Sequence, residues 1–277
     1  MHGPYRVDPL DPRAPSAEAW AAMDEAARAR VLASLPSEVP AHLFMPEGDP
    51  HSRTKADTQD VLRRYFGGIG RRVYISGDLN VYYPEERVFA PDVIAVLDVE
   101  THPRMSWVVS RERRGLDFVL EIHHGGERAK DFVRNVERYA RLRIPEYFVF
   151  DLGRGELQAY RLRDDAARYT RVPPQGGRFL SEVLGVDFFF ADGALRVAPR
   201  AGAALLDAPS LVTELEARVD DALARATAER EARDDALAQA TAEREAREAE
   251  REAREAAESE LARLRARLAE LEGKDPH

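Results

Sequence analysis

Apolar positions recur along this chain with two different periods, and the switches between them mark its elements. Residues 118–122, Phe118-Val119-Leu120-Glu121-Ile122, are apolar on both faces except for one acid, the pattern of a central strand covered by helices. Over residues 131–143 the spacing lengthens. Phe132, Val136 and Tyr139 fall at i, i+4 and i+7, the inner face of a helix that Pro145 ends. Tyr147-Phe148-Val149-Phe150 is then a second buried strand. Upstream, residues 72–82 and 88–97 read as two strands joined by the turn Tyr83-Pro84-Glu85-Glu86-Arg87. Residues 157–162 alternate as an edge strand would, and residues 188–197 read as a hairpin about Asp192-Gly193.

The flanking segments are less regular. Residues 4–15 are Pro-rich and read as a loose arm. Residues 16–35 predict one helix, with Ser16 as N-cap, Trp20, Met23, Ala27 and Val31 at helical spacing, and Pro36 and Pro40 as its stop. A loop over residues 45–51 leads into a helix at 52–66, with Val61, Leu62, Tyr65 and Phe66 inward and Gly67, Gly68 and Gly70 beyond it. The charged residues 98–114 predict a surface loop around Trp107.

From residue 210 the pattern changes again. DDALARATAEREAR (220–233) recurs as DDALAQATAEREAR (234–247), with one difference at Arg225/Gln239. A 14-residue repeat is two heptads and favours a left-handed coiled coil. With Leu223 at a and Ala226 at d, however, the next such positions are Arg230 and Arg233. Leucines fill a seam at 261, 264, 268 and 271, in another register. Pairs such as Glu229–Arg233 and Glu243–Arg247 each stabilise a lone helix by roughly 0.2–0.5 kcal/mol. Two readings stay open: a homo-oligomer (a dimer) through this helix, or a solvated spacer.

Composition narrows the chemistry. The 277 residues are 44% hydrophobic, ample for a core, and contain no cysteine, so disulfides, zinc–thiolate sites and a cysteine nucleophile are excluded. Nothing approaches the roughly 18 apolar residues that span a bilayer, and the first 15 residues have no apolar signal core. The expectation is a cytoplasmic protein with no membrane partner. Residues 210–277 carry −7 of the net −9, leaving a near-neutral body with an acidic tail. That is not the footprint of a protein that coats nucleic acid non-specifically. Arginines number 38 and lysines three: Lys55, Lys130 and Lys274.

Candidate chemistry sits at the strand ends. Ala90-Pro91-Asp92 opens the apolar run 93–97, and Glu121 interrupts the run 118–122. Carboxylates from adjacent strands are the arrangement expected of a divalent-metal site acting on a phosphodiester. Asp92 alone also fits a turn. Glu121 is the sharper signal, because a buried unpaired carboxylate is costly; its structural alternative is a salt bridge to a helix arginine such as Arg138. His123-His124 does not suggest zinc, since neighbours on an extended segment point oppositely. Tyr139 and Tyr147 fit the core. Loop hydrogen bonding suits His51 and a solvated helix face suits Asp57 better than roles in the site.

Three segments carry a family likeness: Ala90-Pro91-Asp92-Val93, Val119-Leu120-Glu121-Ile122, and YARLRIPEYFVFD (139–151). Over roughly residues 46–208 the chain resembles the Uma-two family of restriction-endonuclease-like proteins, a branch of the PD-(D/E)xK nuclease superfamily. Glu121, Asp131 and Tyr139 match the family's Glu, helix-start Asp and Tyr. The resemblance implies a Mg²⁺-dependent endonuclease cutting DNA, with Mn²⁺ as substitute. Asp92, Glu121 and the carbonyl of Ile122 would be the metal ligands. The superfamily's lysine two residues after the Glu falls here on His123, and the family's lysine in the next helix falls on Asn135. Catalytic candidates are therefore Asp92, Glu121, Lys130 and His123. If the helix includes residue 130, Lys130 points to solvent; it reaches the site if the helix starts at Asp131 with that residue as N-cap. Arg138 could replace a charge but not a base.

The expected architecture is an α/β restriction-endonuclease-like mixed sheet flanked by helices. It comprises an arm and helix at 1–39, the nuclease-like domain at 40–209 and an acidic helical tail at 210–277. The rival function is a catalytically weak or inactive nuclease fold that acts as a binding or scaffold module through its C-terminal helix.

Overall fold

A computed structural model describes residues 5–38 and 48–272. The start of the expected domain at residue 40, the stop at Pro40, Met45–Glu47 of the expected loop and Lys274 lie outside the described residues. The chain divides into two units, Met1–Leu211 and Val212–His277.

The first unit is built on a mixed sheet of six strands in the order β1-β3-β5-β6-β7-β8. These are β1 (Val73–Ser76), β3 (Val93–Leu97), β5 (Phe118–His123), β6 (Glu146–Asp151), β7 (Glu156–Arg161) and β8 (Thr170–Val172). Neighbours run antiparallel except β5 and β6, which are parallel. A parallel pair needs a crossover, and here it is a π-helical turn (Lys130–Arg134) running into α5 (Asn135–Arg141). Every residue of β5 and β6 is buried, as central strands covered on both faces require.

Alternation along β5 decides which side chain meets which cover. Phe118, Leu120 and Ile122 join the core beneath α3 (Asp49–Gly68), whose Val61, Leu62 and Phe66 pack there. A three-stranded sheet of β9 (Phe179–Ser181), β10 (Val186–Ala191) and β11 (Ala194–Pro199) adds Val186, Phe188 and Val197 to the same core. Val119 faces the other side, with Tyr139 of α5, Tyr147, Val149 and Trp107. Glu121 and His123 share the parity of Val119, so both acid and imidazole are directed to the α5 side.

Several expectations need correction. The two long strands at 72–82 and 88–97 are each interrupted, and β2 (Asn80–Tyr82) leaves the main sheet to pair in parallel with β4 (Ser106–Val108). The break lies at Gly77-Asp78. A Cβ on Gly77 would stand 2.0 Å from the Asp92 carbonyl oxygen, and Asp78 adopts a left-handed φ of 53°. The segment around Trp107 is not a surface loop: it contains β4 and a short helix α4 (Val109–Glu112), and Trp107 is fully buried with its indole N–H on the Arg114 carbonyl. The edge strand on this side is β8, while β7 is paired on both sides.

The N-terminal helix is two, α1 (Ala17–Ala22) and α2 (Glu25–Ser34), because Asp24 starts a new turn by capping the Ala27 N–H. Residues 13 and 14 of the supposed loose arm form bridges to Arg87 and Pro84, with Ala14 buried beside Val31 and Tyr82.

One helix, α6 (Ala208–Glu272), makes up the described residues of the second unit and runs through both repeats, and beyond Glu214 all its described side chains are exposed. No helix among the described residues is long and apolar enough to cross a membrane.

Candidate functional site

The pairing of β3 with β5 sets the site. Its last rung, Val93↔Leu120, puts Asp92 and Glu121 next in line as opposed residues. There the ladder gives way to side chains. The Ile122 N–H donates to Asp92 Oδ2 at 2.6 Å, and the Asp92 N–H faces Glu121 Oε2 at 3.3 Å. The two acids picked out at the strand ends therefore stand side by side, each beside a backbone N–H of the other's strand.

Glu121 is buried among groups from the crossover helix. Its Oε1 accepts from the Tyr139 hydroxyl at 2.6 Å and from Asn135 Nδ2 at 3.3 Å. The same amide nitrogen reaches Asp131 Oδ1 at 3.2 Å, so Asn135 bridges two carboxylates. Asp131 Oδ2 in turn lies 3.0 Å from His123 Nδ1, and the Tyr147 hydroxyl donates to the Asp131 carbonyl at 2.8 Å. The π turn, closed by Asn135 N–H onto the Lys130 carbonyl, is the local irregularity that turns Asp131 and Asn135 inward together. Asp131 is thus a site residue inside that turn and not the N-cap; Ala129 holds the cap position.

A second element closes on Asp92 from the opposite face of the sheet. His51, Lys55 and Gln59 lie at i, i+4 and i+8 on α3, hence on one stripe. His51 Nε2 is 3.3 Å from Asp92 Oδ2, and Gln59 Nε2 donates to the Asp92 carbonyl at 3.3 Å. Lys55 between them is buried and pairs at 2.7 Å with Asp78, whose N–H is bonded to the Pro91 carbonyl. His51 belongs to the pocket, against the loop role expected of it.

Burial pushes the Glu121 carboxyl up from its ordinary 4.5 to about 8, and the negative charges of Asp92 and Asp131 add to that. Lys130 and the Tyr139 hydroxyl pull it back in part. At neutral pH this carboxyl holds a proton unless positive charge arrives. The salt bridge considered for it is absent: Arg138 instead pairs with Glu86 Oε1 at 3.2 Å and lies over the Phe89 ring. Lys130 is within the helix and 61% of its side chain is exposed, with Nζ 3.8 Å from Asp131 Oδ1. Its orientation is the solvent-facing one. Among the described residues no three His, Asp or Glu side chains form a ready-made metal cluster.

The family model described as "Putative restriction endonuclease", Uma2, matches residues 42–198. The chain belongs to the Uma2 family. Every site residue named above falls within the matched stretch. Among solved structures, one similar to this chain is the crystal structure of "a putative nuclease belonging to DUF820" from Anabaena variabilis, at 12% identity and a TM-score of 0.40. That likeness covers 51% of this chain and 76% of the other. No curated protein matches. Asp92, Glu121 and His123 were singled out as candidates in the sequence, and the structure brings them near one another. The Tyr139 hydroxyl was hidden by its place in a core stripe, Lys55 stood out only as one of three lysines, and Gln59 carried no local signal.

Proposed function

We propose that this Uma2 protein is a divalent-metal-dependent endonuclease that hydrolyses DNA phosphodiester bonds at the Asp92–Glu121 pocket. One observation carries the reading: two strand-end carboxylates are opposed across β3 and β5, and burial, with the negative charges of Asp92 and Asp131 added to it, makes Glu121 resist ionisation. A hard dication offsets such charge.

The donor set fits Mg²⁺, with Mn²⁺ as substitute, because all its members are oxygen. Asp92 engages its neighbours through Oδ2 and Glu121 accepts its strong bonds at Oε1, so Oδ1 and Oε2 are the oxygens suited to a cation. The N–H and C=O of one strand residue point the same way, and the Ile122 N–H points at Asp92. The Ile122 carbonyl is therefore a third donor, with phosphate and water completing the shell. When bound, the metal supplies Lewis acidity toward the phosphate and a lowered pKa for the attacking water.

The chain's own residues do the positioning. Tyr139 and Asn135 hold Glu121 from one side, and His51 and Gln59 hold Asp92 from the other. Asp131 fixes the His123 ring, which leaves Nε2 as the nitrogen able to exchange a proton. Lys130, at the rim, offers positive charge to an incoming phosphate. The C-terminal helix is read as an association element for a second copy.

Asn135 supports a second reading, a nuclease fold kept as a scaffold, since an amide stands at the position where the family carries a lysine. Cleavage of plasmid DNA in Mg²⁺ separates the two. Asp92→Ala and Glu121→Ala should each lose more than the roughly 10–100-fold typical of outer-shell changes. Equal cleavage by all three proteins would refute the endonuclease reading, and absence of Mn²⁺ binding at millimolar concentration would favour the scaffold.

A further inference from the structure

Because α6 is continuous, the apolar residues at its two ends can be placed in one heptad frame. Val212, Leu215 and Val219 near its start are at least half exposed, as are Leu261, Leu264 and Leu268 near its end. Residues 212 and 261 are 49 apart, seven heptads, so both ends occupy the same a and d positions. Leu223 and Leu237 sit at the e positions that flank this stripe. Exposed apolar residues at both ends of one helix face call for a partner.

The middle of the stripe says which partner and which way round. Its a and d positions there include Glu229, Arg233, Glu243, Arg247, Glu250 and Arg254. In a parallel pair each of these meets its own copy, giving a succession of like-charge layers. In an antiparallel pair an a position of one helix meets a d position of the other. Aligning residue 215 with 268 then opposes Val219 to Leu264, Ala222 to Leu261 and Ala226 to Ala257. Continuing inward, Glu229 meets Arg254 and Arg233 meets Glu250, acid against base. The remaining pair, Glu243 and Arg247, lies opposite alanines and is matched within its own helix at 3.8 Å.

We infer that α6 is an antiparallel, self-complementary docking surface for a second copy of this chain, with residue 226 of one copy beside residue 257 of the other. The inference rests on reading the helix as an association element, and adds its orientation and register. Charge pattern, not hydrophobic content, specifies the pairing, since like charges set directly opposite one another exclude the parallel alternative.

The absence of native cysteine makes a direct test clean. The full-length chain should sediment at twice 31.1 kDa. Ala226→Cys and Ala257→Cys, treated with a short bis-maleimide, should cross-link when mixed and not when alone, because two copies of residue 226 would stand about 46 Å apart along an antiparallel pair. Self-cross-linking of either single variant would overturn the antiparallel pairing while leaving a dimer in place. A monomeric mass would overturn the association reading itself. As a second arm, Arg233→Glu with Arg254→Glu should weaken dimerisation at least tenfold, and adding Glu229→Arg with Glu250→Arg should restore it. Failure of that restoration in a dimeric protein would also count against the proposed register.

Discussion

Glu121 concentrates the electrostatic tension of the pocket in one carboxyl. Its folded value of about 8 stands above the ordinary 4.5, so between those limits the folded metal-free protein holds a proton that the unfolded chain releases. The contribution to stability is present in full below the ordinary value and is lost as pH rises through the folded one. Melting temperature in chelator should therefore fall between about pH 4.5 and 8 more steeply for the wild type than for Glu121→Gln, and saturating Mn²⁺ should flatten the difference. A pH profile identical in the two proteins would contradict this assignment of charge. Asn135→Lys tests the same point from the other side, since it sets a cation where the amide now bridges Glu121 and Asp131. It should lower the pH at which Glu121 ionises and raise single-turnover cleavage, on the order of 10²-fold if the group stabilises developing charge. Tyr139 shows what residue-level reading misses. Helical spacing marked it as core, and it is core, but the hydroxyl that fixes Glu121 leaves no trace in an apolar period.

Among elements, β5, β6 and the helix between them were legible because each keeps its own period over enough residues to be unambiguous. The opposition of Asp92 to Glu121 was legible too, since both lie where an apolar run begins or ends. The contribution of α3 was not. His51 and Gln59 reach Asp92 across more than 30 residues of sequence, with Lys55 between them on Asp78, and only the packing of α3 on the sheet brings them there. Trp107 was misjudged for a related reason: one aromatic in a charged segment says nothing about the tertiary slot it fills. Gly77 ties α3, the broken strand and the site together, as a side chain there would collide with the Asp92 carbonyl and the Gln59 amide. Gly77→Ala should cost about 1–3 kcal/mol, as overpacking does, and should reduce metal-dependent cleavage. Urea unfolding and a cleavage assay measure both, and wild-type behaviour in each would show that the close approach is not needed.

At the scale of the whole molecule, every residue assigned to the pocket belongs to the unit Met1–Leu211, and the described residues of the unit Val212–His277 form a helix without site residues. A chain ending at Leu211 should therefore retain cleavage per active site while sedimenting as a monomer. Loss of activity on truncation would tie catalysis to the helix. The tail also shows why register was hard to read from its repeats. They begin at residue 220, between apolar ends whose common frame becomes visible once one uninterrupted helix is known to join them.

The account depends most on a shared cation between Asp92 and Glu121, and anomalous diffraction from crystals soaked in Mn²⁺ measures it most directly. A peak within about 2.0–2.3 Å of an oxygen from each carboxylate, the range for hard oxygen-bound dications, is the predicted result. A pocket without a peak, with His51 still against Asp92 and Asn135 still against Glu121, would contradict it.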